Sequence, residues 1–164
     1  MSENQQIIRR FYTAFQKLDY RTMQDCYHED AIFFDPVFQD LNTYEVRNMW
    51  EMLCTTAKDF SFTFSDIEAD DEYGRCNWIA NYTFSASKRK VTNKIKAYFK
   101  FHEGKIVEHT DDFDLWKWSR QALGLKGWIL GWSEFLQKKV RNSAQNKLLE
   151  FLNKKARIQA SGGL

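Results

Sequence analysis

Proline occurs once and glycine seven times in 164 residues, which excludes a collagen-like repeat and leaves no composition for a long flexible linker. Cysteine is scarce too. Cys26, Cys54 and Cys76 are odd in number, widely spaced and never in a C-x-x-C pair, so a disulfide framework or zinc ribbon is excluded and they read as small core residues. No apolar run approaches the roughly 18 residues of a membrane span, and Met1 to Arg10 carries no stretch of signal-peptide type. Glycine-rich phosphate loops, nucleophile elbows and Cys–His motifs are missing as well. A soluble, cytoplasmic protein without a cofactor is expected.

Aromatic residues, by contrast, reach 16%, with 14 Phe, 7 Tyr and 6 Trp, enough for a lined cavity or a thick core. Charge is unevenly spread. Residues 114–164 hold ten Lys/Arg against three Asp/Glu, and residues 1–113 hold fourteen against nineteen, so a basic end follows an acidic body. No basic run alternates with aromatics on a strand as a stacking platform for nucleic acid requires, and a solvated helix face accounts for the basic end.

Periodicity divides the chain in two. From Glu3 to Leu18, Ile7, Ile8, Phe11, Ala14, Phe15 and Leu18 recur at helical steps. Asp19 is the N-cap of a shorter helix through Met23, Cys26 and Tyr27, Ala31 to Pro36 reads as a strand, and Asn42 or Thr43 opens a helix to about Ala57. After Lys58 the period becomes two, giving strands around Phe60–Ser65, Cys76–Ser85, Val91–Phe101 and Ile106–Phe113, with turns at Asp70–Glu72, Lys88–Lys90 and His102–Gly104. Asp114 caps a short helix ended by Gly124, Gly127–Trp132 reads as an elbow, and Ser133 to about Lys155 as an amphipathic helix. Its stripe of Leu136, Val140, Ala144, Leu148 and Leu152 packs on its own domain or on a second subunit in preference to a membrane surface. Helices followed by a meander predict an α+β fold, a curved and mostly antiparallel sheet wrapped around N-terminal helices. Its expected parts are a cone over residues 1–124, a helical extension over 125–158 and a frayed tail over 159–164.

Three residues stand out as candidates for chemistry. His109 lies inside the last strand two positions before Asp111, so both point to one face, where carboxylate and imidazole can tune each other as an acid–base pair. Val107 and Phe113 share that parity and mark it as the concave side. A His–Asp pair that merely stabilises a helix-to-sheet junction is the alternative. Asp35 follows Ile32-Phe33-Phe34 and precedes the only proline, an extended position where the chain leaves the core; it is either a turn residue or a desolvated carboxyl with a raised pKa. Together with His109 and Asp111 it offers three metal ligands, but no spacing selects for a metal and none is expected. Phe11, Phe15, Trp50, Trp78, Tyr82 and Phe99, with Tyr12 and Phe113, are the candidate ligand-contacting or core aromatics.

The order helix, helix, strand, helix, meander resembles the nuclear-transport-factor-2-like superfamily. Phe11-Tyr12-Thr13-Ala14-Phe15, Tyr27-His28-Glu29-Asp30-Ala31 and Asp35-Pro36-Val37 are similar to its opening motif, and His109 to Asp114, Trp118 to Gly124 and Gly131-Trp132 resemble a bacterial SnoaL-like subgroup. The resemblance implies a cone-shaped domain, an apolar small-molecule ligand and a homodimer. Asp35 matches the proton-shuttling aspartate of the ketosteroid isomerases, while Phe11 and Ala97 stand where their oxyanion-hole tyrosine and aspartate are, with Tyr12 adjoining. No central-strand Arg matches the epoxide hydrolases. SnoaL-type cyclases use a His and an Asp in the cavity, roles that His109 and Asp111 can fill. The resemblance thus implies an isomerase, cyclase or hydratase, or a non-catalytic binding module of the same fold.

Overall fold

The computed structural model describes residues 1–130 and 132–162; Gly131 of the expected elbow and the last two residues of the expected tail lie outside them. Local chemistry sets the helix starts. Ser2 opens α1 (Glu3–Gln16) with a capping box, its hydroxyl accepting from the Gln5 amide while the Gln5 side chain accepts from Ser2. Asp19 caps α2 (Tyr20–Asp25), and Asn42 with Glu45 forms a second capping box at α3 (Thr43–Thr56).

Six strands are present, the five expected ones and a short β2: β1 (Tyr27–Asp35), β2 (Gln39–Asn42), β3 (Ser61–Ala69), β4 (Tyr73–Phe84), β5 (Arg89–His102) and β6 (Lys105–Asp112). They form one curved sheet in the order β2-β1-β6-β5-β4-β3. Every pairing is antiparallel except β1 with β6. On β5, Val91, Asn93, Ile95, Ala97, Phe99 and Phe101 all face inward. Glu103 and Gly104, both at positive φ, close the β5–β6 hairpin as a two-residue turn.

Three details differ from the periodicity. Tyr27 begins β1 instead of ending α2, because its side chain is buried in the cone. β2 has only four residues, too few to show a period. Val107 does not share the inward face with His109: Phe101 pairs with Ile106 but Lys100 with Glu108, so one extra residue in β6 bulges, and fully buried Ile106 takes the inner place.

The helices α1, α2 and α3 fill the concave side, and α1 brings Ile8, Phe11, Tyr12 and Phe15 into the core. Asp114 caps α4 (Leu115–Leu123), and Gly124 at φ +61° ends it. The expected elbow is largely a further short helix, α5 (Leu125–Leu130), and α6 (Glu134–Ser161) continues past Lys155. Val140, Ala144, Leu148 and Leu152 of α6 pack on the chain's own core, which decides how the stripe is used. Among the described residues no helix is long and apolar enough to cross a membrane.

Candidate functional site

The parallel pairing of β1 with β6 builds the site. Phe33 lies opposite His109 in register, and two residues further along each strand come Asp35 and Asp111, on the same inward face. Both strands end there, so the two carboxylates stand together at one end of the cone, its mouth. Each is buried, at 8% and 3% exposure.

One step deeper, at the floor, His109 is enclosed by Phe11, Tyr27, Phe33, Trp50 and Phe99, with ring centroids 4.4–6.2 Å away. Its Nδ1 is 2.6 Å from the Tyr27 hydroxyl, which itself accepts from Trp50 Nε1 at 2.9 Å. Trp50 can only donate, so the hydroxyl keeps its own proton, which Nδ1 accepts in the tautomer that carries its hydrogen on Nε2. The remaining ring proton on Nε2 then donates to Asp111 Oδ1 at 3.0 Å, where Trp78 Nε1 also donates at 3.2 Å. Trp50, Tyr27, His109, Asp111 and Trp78 thus form one continuous chain of hydrogen bonds that gives both imidazole nitrogens a partner. Sequence patterning missed Tyr27, because its pairing with His109 spans 82 positions.

Asp35 is held differently. Its Oδ1 accepts from the amides of Val37 and Phe38, at 2.8 and 2.5 Å, which fixes the turn into β2 and leaves Oδ2 out of both bonds. Burial pushes its carboxyl up to about 7, against the pull of the Phe38 amide, and the negative charge of Asp111 adds to the rise. The turn reading and the raised-pKa reading therefore both apply. α6 covers this turn: Arg141 Nε donates to the Pro36 carbonyl at 3.0 Å and Gln145 Nε2 to that of Phe38 at 3.3 Å.

The candidate aromatics Phe11, Tyr12, Phe15, Trp50, Trp78 and Phe99 are all buried, and Tyr82 and Phe113 are half-buried at the mouth. Tyr82 accepts from Trp118 Nε1 at 2.8 Å, a partner visible only once α4 docks on the sheet. Burial raises the pKa of Tyr82, and the charge of Asp35 contributes. The fully buried Tyr12 hydroxyl has no hydrogen-bond partner; burial first and the Asp111 charge second hold its pKa well above the ordinary tyrosine value. Its proton is an unspent donor within reach of the Asp111 charge, and the residue adjoins Phe11. Among the described residues no three His, Cys, Asp or Glu side chains converge as a metal site. Two open clefts, of about 590 Å³ beside Glu72, Lys100 and Glu108 and about 440 Å³ along Arg9, Thr13 and Lys17, lie on the outer surface away from the cone.

Residues 8–109 match the family model of the SnoaL-like domain. The chain belongs to the SnoaL-like family. Solved structures agree on the fold of this SnoaL-like protein. An NTF2-like protein of unknown function from Burkholderia pseudomallei is 20% identical, with a TM-score of 0.64 over 74% of this chain and 98% of its own. An LEH-like epoxide hydrolase from M. tuberculosis is 17% identical, with a TM-score of 0.63 over 79% and 96%. A putative polyketide cyclase from Xanthomonas campestris is 16% identical, with a TM-score of 0.62 over 73% and 96%. A comparison with curated protein sequences finds no match. The family match ends at His109, so Asp111 and α4 to α6 lie beyond it.

Proposed function

We propose that this SnoaL-like protein is an acid–base enzyme for a small apolar substrate, of isomerase, cyclase or hydratase type, with Asp35 as the group that moves the proton. The observation that carries the reading is the buried Asp35 carboxyl at about 7, beside Asp111 at the mouth of an aromatic cone. A carboxyl in that range can both take and return a proton near neutrality. With an enone, Asp35 takes a proton from carbon, the C–H electron pair passes into the carbonyl as an enolate, and Asp35 returns the proton at another carbon. The free hydroxyl of Tyr12 is the donor available to the enolate oxygen. Asp111 supplies the negative charge that keeps Asp35 basic, and His109 acts through Asp111 as a positioning residue. Apolar substrate reaches Asp35 when α6 lifts from the turn at Pro36 to Phe38, with Tyr82 and Phe113 as its first contacts.

A non-catalytic binding module is the second reading, favoured by the dense ring packing around His109. A screen of enones, epoxides and aromatic polyketides separates the two. Turnover that rises with pH through about 7 and falls about 100-fold or more in Asp35→Asn supports the enzyme. Equal turnover by the wild type and Asp35→Asn rejects the role of Asp35, and saturable binding without turnover assigns the module.

A further inference from the structure

The chain's largest exposed aromatics lie outside the cone, around α5. Leu125, Trp128 and Ile129 are 74%, 58% and 59% exposed, and Trp132 and Phe135, at 70% and 77%, follow. Their exposure is built in. Gly127 sits so close to α4 that a Cβ would come within 2.0 Å of the Ser119 carbonyl oxygen, so α5 meets α4 backbone to backbone through this glycine. At 100° per residue, Leu125, Trp128 and Ile129 occupy the side opposite Gly127 and must face away from the domain. The Arg120 guanidinium, 4.3 Å from the ring centre of Trp116 and 4.5 Å from that of Trp128, ties the two indoles into one patch.

In the same stretch of chain Lys117, Lys126, Lys138 and Lys139 are exposed and Arg120 is half-exposed, against only Asp114 and Glu134 in residues 114–139. Exposed Trp, Leu, Ile and Phe interspersed with cations match the interfacial zone of a bilayer, where indoles settle at headgroup depth and lysines meet anionic headgroups. Symmetric pairing of two copies through this patch would set the same cations against each other. We propose that α5, with Trp132 and Phe135, docks this protein on a lipid surface bearing anionic headgroups, without crossing it. The docking is independent of the reaction assigned to Asp35, and it uses residues around α5 in place of the α6 stripe that packs inward.

Flotation of the full chain with phosphatidylcholine vesicles, with and without about 30% phosphatidylglycerol, tests it. The protein should float with the anionic vesicles, with its tryptophan emission shifted to the blue. Trp128→Ser/Ile129→Ser should weaken partition about tenfold or more, as should Lys138→Glu/Lys139→Glu. Phe135→Ser provides an independent variant, and unchanged circular dichroism and melting show that each remains folded. Absence of flotation by the folded wild type overturns the proposal. So does equal partition onto neutral vesicles, or a dimer that Trp128→Ser/Ile129→Ser dissolves, because a second copy then covers the patch.

Discussion

At the floor of the cone His109 has a partner for each ring nitrogen and an aromatic ring on every side, whereas at the mouth Asp35 spends one oxygen on a turn and is covered by a helix joined late in the chain. Both places bury a titratable group between the same two strands. The floor satisfies its group completely with side chains, and it therefore behaves as core. The mouth places a carboxylate near a second carboxylate and relies on burial, so its protonation is what remains adjustable. A SnoaL-like cone can thus hold a polar network as a structural element and keep a carboxyl of adjustable protonation a few ångströms along the same pair of strands.

Four variants sharpen or break that contrast. The largest effect belongs to Asp35→Asn. An unfolded carboxyl titrates near 3.8 and the folded one near 7, so the folded state binds the proton more tightly. Asp35 therefore makes stability fall as pH rises from about 4 to 7, by about 4 kcal/mol as an upper bound, with the loss constant above that. Asn keeps the Oδ1 acceptor for the turn and has no charge to desolvate. Denaturant unfolding should find Asp35→Asn equal to the wild type at pH about 4 and more stable by up to about 4 kcal/mol at pH about 8. Next, His109→Ala empties a ring-lined site and orphans both Tyr27 and Asp111, and should cost about 3 kcal/mol in the same assay. If His109→Ala melts like the wild type, the floor is not core.

Tyr27→Phe removes a single oxygen but leaves Trp50 Nε1 and His109 Nδ1 unpaired, at a cost of about 2 kcal/mol by chemical denaturation. Arg141→Ala should have the smallest effect on stability, about 1 kcal/mol, since only the bond to the Pro36 carbonyl is lost. Its informative readout is the Asp35 titration, which should move down as water reaches the turn. An unmoved midpoint would show that α6 does not control the burial of Asp35.

Sequence patterning found those features whose physics is local. The caps at Asp19 and Asp114 depend on amides two or three residues away, and the inward set from Val91 to Phe101 depends only on strand pleating. The pairing of Asp35 with Asp111 depends on β1 lying parallel beside β6, a long-range contact that neither strand encodes alone. The bulge at Val107 escaped for a related reason: one inserted residue reverses the inward parity, and nothing in Ile106-Val107-Glu108 announces it. The candidate aromatics are buried or half-buried, as their periodicity implies, and the partners Tyr27 and Trp118 entered only through packing of the β1 start and of α4.

Asp35 should carry its proton close to neutral pH. The most direct measurement is a titration of the carboxyl carbons by carbon-13 NMR, with Asp35 assigned through Asp35→Asn. A midpoint near 7 is expected, moving toward the ordinary carboxylate range in Arg141→Ala. A midpoint near 4 in the folded wild type would contradict it and would leave Asp35 as a turn residue alone.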